Sequence, residues 1–313
     1  MESTQNIKKR IKSVANVKKI TKAMELVAAT KMRKAQEIAL ASRPYAFLAL
    51  DILASLSLLE GELSELLKQR QIKKVLFVLV SSDKGLAGSF NSSVFKKFED
   101  HMKRDEEKYK NEEKLFLAVG EKASAYLLRR KLPVIKKFTQ VGDHTTPEQV
   151  GQISGFIVDG YLKGEWDRVV VVSMHFRSAL KQEAHIRRIL PVDFDHIKNI
   201  IQELIPTSGK FADLIKKEDI KFLPEKEIKD YLIEPSASVV VDKLARHLLF
   251  MQLYHLVLEA NAAEHSARRM AMKTAADNAS DLGEELNLQY NKSRQAAITT
   301  QIIEITAGAE SLS

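Results

Sequence analysis

One stretch of the sequence has the residue types and placement to cradle a phosphate: Ser81-Ser82-Asp83-Lys84-Gly85-Leu86-Ala87-Gly88-Ser89, which follows an apolar run and precedes a helical pattern. A glycine-rich turn from strand into helix gathers free backbone N–H groups and the positive end of the helix dipole at one point, which suits an anion. Its spacing fits neither G-x-G-x-x-G nor G-x-x-x-x-G-K-S/T, so it reads as an ordinary strand-to-helix turn. Other chemistry has less to work with. The absence of cysteine removes thiol nucleophiles, thiolate ligands and disulfides. The histidines show no ligand spacing beyond the loose pair His247 and His255, and neither H-E-x-x-H nor G-x-S-x-G occurs. No pair of acids stands out from the charged background. The expectation is a chain without catalytic residues, cofactor or metal, whose function lies in what it binds.

Charge points to where. Residues 1–43 carry eleven Lys/Arg against three acids, a net +8, and residues 236–313 carry seven against nine, a net −2. By subtraction the middle has 31 against 29, or +2, so the formal charge of +8 belongs to the N-terminal segment. Such a segment attracts an acidic protein surface, an anionic membrane face or nucleic acid. Against nucleic acid, no aromatic precedes Tyr45 to stack on bases, and the cations are spread around the helix they lie on. An acidic protein collar suits them better. No run of about 18 apolar residues occurs, residues 248–258 being broken by Gln252 and His255, so neither a membrane span nor a secretory leader is expected.

The elements that carry these residues follow from periodicity. From Ser3 to about Arg43, Ile7, Ile11, Val14, Val17, Ile20, Met24, Val27, Met32, Ala35 and Ala39 recur mostly every three or four positions. That spacing predicts a long amphipathic helix, capped by Ser3 or Thr4 and ended by Ser42-Arg43-Pro44, with a helical pattern resuming over 47–67. The last 78 residues, 236–313, hold no proline and two glycines, Gly283 and Gly308. They read as one helix, capped by Ser236 or Ser238, which at ~1.5 Å per residue would reach roughly 110 Å.

Between them the period changes. Residues 75–80, 115–119, 134–138 and 169–172 are short apolar runs that read as strands. Helical stretches over about 92–101, 121–130 and 147–162 separate them, the last capped by Thr145 or Thr146, and 182–190 alternates as an edge strand would. Alternating strands and helices predict an α/β domain with a largely parallel sheet. The charged tract 103–114 is expected to be a solvated loop or helix extension, and 191–235 an irregular connection.

Two long terminal helices bury their stripes most economically against each other, as an antiparallel coiled coil. Val241, Leu244, Leu248 and Met251 give the C-terminal helix one seam, which Leu256, Ala260, Ala263, Ala267 and Met270 continue on a drifting face. A partner of about 40 residues cannot cover 78, so the apolar, weakly charged end with Ala296, Ala297, Ile298, Ile302, Ile303 and Ile305 is expected to insert into another protein.

The residues themselves resemble a known family. Lys19-Ile20-Thr21-Lys22-Ala23-Met24-Glu25-Leu26-Val27-Ala28-Ala29-Thr30-Lys31-Met32-Arg33-Lys34, with Ser42-Arg43-Pro44-Tyr45 after it, is similar to the N-terminal helix of the gamma subunit of F-type ATP synthases. Residues 267–279, Tyr290-Asn291-Lys292-Ser293-Arg294-Gln295-Ala296-Ala297-Ile298-Thr299 and the closing Glu304, Gly308 and Ala309 resemble its C-terminal signature, except that Gln301 stands where the family has a glutamate. That exchange removes a charge and keeps hydrogen-bonding capacity. Ser82-Asp83-Lys84-Gly85-Leu86-Ala87-Gly88 matches in the middle, and the tract 103–114 does not.

The resemblance implies an antiparallel coiled coil of N- and C-terminal helices with a central Rossmann-like α/β domain, divided as 1–67, 68–235 and 236–313. It implies a non-catalytic rotor, the central stalk, turning inside a ring of three alpha and three beta subunits and standing on the c-subunit ring beside epsilon. By the same resemblance Met24, Arg269, Arg294, Gln295 and Thr299 face beta subunits, and Tyr231 and Glu234 touch epsilon and the c ring. The protein would lie peripherally on the cytoplasmic side of the cell inner membrane. Chloroplast members carry a regulatory cysteine pair; without cysteine, thiol control is not expected here.

Overall fold

In β1, Lys74–Val80, six consecutive apolar residues are all buried, because the strand has a core on each side. Side chains alternate along a strand, so Leu76, Val78 and Val80 enter one core while Val75, Phe77 and Leu79 enter the other. The computed structural model describes residues 3–41, 64–108, 112–142, 145–192 and 234–310. Along the chain the elements are α1 (Thr4–Ala41), β1, α2 (Phe90–Lys108), β2 (Glu113–Val119), α3 (Glu121–Arg129), β3 (Val134–Phe138), α4 (Pro147–Leu162), β4 (Arg168–Phe176), β5 (Gln182–Leu190) and α5 (Ala237–Glu310).

The strands form one sheet in the order β3-β2-β1-β4-β5. β1 to β4 run parallel and β5 closes the edge antiparallel to β4. From β1 the chain steps outward to β2 and β3, then returns across β1 to β4. Crossovers are right-handed in both directions, so reversing the step changes the face on which the helix lies. Val94 and Phe98 of α2 and Leu127 of α3 accordingly join one core, and Val150, Ile153 and Ile157 of α4 join the other. The expected Rossmann-like sheet with its edge strand is thus the observed one.

Local chemistry sets the ends. Thr146 caps α4 in a reciprocal box with Gln149, Oγ1 accepting from the Gln149 N–H and the Gln149 side chain accepting from the Thr146 N–H. Helix α2 runs past the expected 92–101 and takes in much of the charged tract. Its polar face keeps the helical period, so charge alone does not end it. Residues 42–63, including most of the expected helix 47–67, and most of the connection 191–235 lie outside the described residues.

Helix α5 differs most from expectation in what covers it. Residues 251–266 are all buried, on every side of the helix. Leu248, Leu249, Leu253, Leu256, Val257 and Ala260 belong to the core beneath β1 and β4. An all-round buried helix is a core layer, so this stretch serves the sheet. Near its start, Ser64 Oγ and Arg246 Nε each donate to the Asp242 carboxylate at 2.7 Å.

The chain divides into two compact units, Thr30–Ala267 and Met1–Ala29 with Arg268–Ser313. The first holds the sheet and its helices. The second is a pair of helical segments.

Candidate partner-binding surface

In the helical unit, one row of buried and half-buried residues along α5 is Met272, Ala276, Ala279, Gly283, Leu286, Tyr290 and Ser293. Their spacing alternates strictly between four and three, the spacing of a two-helix seam. On α1 the matching buried and half-buried row is Thr4, Ile7, Ile11, Val14, Thr21, Glu25 and Ala28, at threes and fours with the exposed Lys18 filling the step from Val14 to Thr21. Lys18 Nζ donates to Ser280 Oγ at 2.8 Å. A Cβ added to Gly283 would stand 3.8 Å from Val14 Cγ1. Rising four residues on α1 lowers the partner by three on α5, so the segments run antiparallel, as expected.

The seam is more polar than the apolar count predicts. Thr21, Glu25 and Ala28 are buried in it, whereas Val17, Ile20 and Val27 are 49%, 60% and 54% exposed. These three, expected in the internal stripe, face solvent, and Met270, also expected in a seam, is exposed while Met272 is buried. The physical reason is the period. Choosing apolar residues at threes and fours lets the stripe drift around α1, but two helices stay in contact only along a fixed row, and that row takes in Lys18, Thr21 and Glu25. Thr21 Oγ1 donates to the Val17 carbonyl at 2.9 Å and Glu25 pairs with Lys22 at 2.8 Å, so the polar side chains in the row have partners. Strict continuation of Ile7, Ile11 and Val14 in the sequence would have located the row, and with it the outward residues.

At Ser293, opposite the start of α1 at Thr4, the row ends. Residues 294–307 are exposed throughout. Ile298, Ile302, Ile303 and Ile305 show about half or more of their surface, and between Arg294 and Glu310 the only other charge is Glu304. Thr299, Thr300 and Thr306 donate their hydroxyls to carbonyls one turn back, at 3.0 Å each, leaving the apolar groups outermost. Full burial of one large aliphatic side chain contributes about 1.5–3 kcal/mol, so four together are a driving force for a partner, where single exposed ones would need none.

Of the residues predicted to meet partners, Arg294, Gln295 and Thr299 lie together at the start of this exposed stretch. Met24 and Arg269 are half-buried in the same unit. Glu234 is exposed just ahead of α5, and Tyr231 lies outside the described residues.

Three side chains of the phosphate-like turn, Ser81, Ser82 and Asp83, are committed to hydrogen bonds. Asp83 accepts from the Glu121 N–H at 3.1 Å and from the Gly142 N–H at 3.4 Å. Ser82 Oγ donates to the Lys84 carbonyl at 2.7 Å and accepts from Asn91 Nδ2 at 2.7 Å. The Ala123 N–H donates to Ser81 Oγ at 2.6 Å. The turn stands where a parallel sheet of this order would bind a ligand, and its Ser81 and Asp83 side chains take backbone N–H groups of Glu121, Ala123 and Gly142, binding the turn to the segments beside it.

The sequence model of the family described as ATP synthase matches residues 3–312. The chain is 36% identical to the ATP synthase gamma chain of Roseiflexus sp. (strain RS-1), aligned over 100% of this chain and 99% of the relative. It is 38% identical to that of Methylobacillus flagellatus, over 99% of each. Among solved structures, a chain of the Euglena gracilis mitochondrial ATP synthase, OSCP/F1/c-ring in rotational state 3, matches with a TM-score of 0.61 at 16% identity, covering 99% of this chain and 94% of that one. A chain of the Tetrahymena thermophila mitochondrial ATP synthase central stalk and c ring matches at 0.55 and 22%, covering 82% and 99%. These two likenesses are likenesses of fold.

Proposed function

The chain belongs to the ATP synthase gamma-chain family, a non-catalytic subunit of a membrane-associated complex, and from that premise we propose how its surfaces work. It is the central rotor, coupling ion translocation through the c ring to ATP synthesis and hydrolysis in a hexamer of three alpha and three beta subunits. The observation that carries this reading is the exposed, weakly charged end of α5 beyond Ser293. An apolar end can turn inside an apolar sleeve without breaking a fixed set of ion pairs, and its burial there removes the isoleucines from water.

Polar groups at the base of that end give the rotation its steps. Arg294, Gln295 and Thr299 meet the beta subunits in turn, and each orientation presents a different face to each beta subunit, biasing its nucleotide affinity. Met24, Arg269 and the outward Val17, Ile20 and Val27 meet the same ring. At the other end, Tyr231 and Glu234 contact epsilon and the c ring. The protein acts peripherally on the cytoplasmic side of the inner membrane; no helix among the described residues is long and apolar enough to cross it.

ATP-driven ion pumping and single-particle rotation by the complex reconstituted with and without this chain test the reading. Pumping and rotation are expected only with the chain present, and coupled pumping in its absence would overturn the proposal.

A further inference from the structure

We propose that His175, Arg187 and Glu259 form a register pin, a set of positioning residues that locks the long helix α5 to the β4–β5 hairpin so that load on the sheet passes into the helix without slip. The inference rests on the rotor reading. Each of the three comes from a different element, β4, β5 and α5, and they are 3%, 3% and 5% exposed. His175 Nδ1 lies 3.1 and 3.2 Å from the two Glu259 oxygens. Arg187 donates through Nη1 to Glu259 at 3.2 Å, and its Nη2 lies 3.3 Å from His175 Nδ1.

Along the rest of the contact much of the packing of helix on sheet is aliphatic, with Val169, Val171 and Ile189 among the strand residues and Leu248, Leu256 and Ala260 among those of the helix. Apolar attraction has no direction, so one aliphatic register differs little from the next. A buried charge cluster is different: shifting α5 by a turn would leave a guanidinium and a carboxylate buried and unpaired. Seven residues on, two turns along the same helix face, Ser266 donates to the Ala179 carbonyl at 2.8 Å and accepts from Gln182 Nε2 at 3.1 Å. Two polar anchors on one hairpin fix both the axial position and the rotation of the helix, where one would leave a pivot. Buried ion clusters add little stability over an apolar replacement of similar volume, and fixing register is the best-attested reason to keep one.

The test uses the whole complex in sealed membrane vesicles and the triple variant His175→Leu, Arg187→Met, Glu259→Met. The purified variant chain is expected to melt no lower than the wild type, and its complex to hydrolyse ATP at the wild-type rate once an ionophore removes the load. The steady-state ion gradient at which ATP-driven pumping stalls is expected to fall well below that of the wild type. Arg187→Lys, which keeps a charged bond to Glu259, is expected to restore most of it. Should the triple variant not fold, Gln182→Leu with Ser266→Ala, at the second anchor, is expected to lower the stall gradient partway. An unchanged gradient in a folded variant of either kind, or an Arg187→Lys complex as impaired as the triple one, overturns the pin. A wild-type complex that fails to pump would instead overturn the rotor reading.

Discussion

Lys18 and Ser280, 262 residues apart in the chain, are joined by a 2.8 Å hydrogen bond from Nζ to Oγ across the two-helix seam. With Val14 lying against Gly283, that bond fixes the direction and stagger of the pair. That stagger sets Thr4, the first residue of α1, opposite Ser293, and residues 294–307 beyond it are exposed.

Gly283 is the weak point of the seam. Its added Cβ would meet Val14 at ordinary contact distance, and glycine in a helix interior is about 1 kcal/mol worse than alanine. Gly283→Ala is therefore expected to stabilise the chain by about 1 kcal/mol, read as a raised urea midpoint at unchanged slope. A loss of stability would mean the seam is tighter than the 3.8 Å approach indicates.

Gly160 allows no such change. A Cβ there would lie 2.1 Å from the Trp166 ring, which is buried and held by its indole N–H to the Ile157 carbonyl at 3.0 Å. Gly160→Ala is expected to cost about 3 kcal/mol or more, because neither ring nor helix can retreat. Thermal melting checks it, and a wild-type midpoint would contradict the packing described.

Arg294 is exposed, so its removal leaves the fold intact. Arg294→Ala is expected to change stability by less than about 0.5 kcal/mol while lowering coupled ATP hydrolysis and pumping several-fold. Parallel denaturation and pumping assays separate the two, and proportionate losses in both would count against a contact at this position.

Ile20 is a sharper probe of the outward face of α1. Ile20→Glu is expected to leave the melting of the isolated chain within about 0.5 kcal/mol of wild type, since the side chain is already 60% exposed. Assembly with alpha and beta subunits, followed by size-exclusion chromatography, is expected to weaken. Normal assembly would place this face outside the interface.

Acid should loosen the start of α5. Burial pushes the Asp242 carboxyl up, but the hydrogen bonds from Arg246 and Ser64 and the Arg246 charge outweigh it, so the group titrates below its ordinary range. A carboxyl whose pKa is depressed on folding contributes stability that is fully present above the unfolded pKa of about 3.9 and is lost as pH falls through the folded value. Because the Asp242 side chain is 36% exposed, solvent screening keeps the contribution below about 1 kcal/mol. Melting of Asp242→Asn between about pH 5 and 3 is expected to fall less steeply than that of the wild type.

Much of this was legible in the chain. Apolar runs at 75–80 and 169–172 located buried strands, Thr146 located a helix cap, and the proline-free end from 236 located one long helix. The weak charge of that end already pointed to a partner. These features are local: period, capping and composition act within a few residues and need no knowledge of the fold. The family motifs at both ends added the identity of the machine, which no period could supply.

What the sequence alone could not decide was which side of each element faces what. Val17, Ile20 and Val27 look like core and lie outside, while Thr21 and Glu25 look like surface and lie buried in the seam, with the exposed Lys18 bonding across it. Asp83 in the glycine-rich turn looks like a free carboxylate until the N–H groups of Glu121 and Gly142 are seen donating to it, and Glu259 looks like a stray charge until His175 and Arg187 arrive from two strands. Each outcome depends on groups tens to hundreds of residues away, brought together by the sheet order and the stagger of the helices. Periodicity along one segment tells that a side will be buried; only the tertiary structure brings the partner that chooses which.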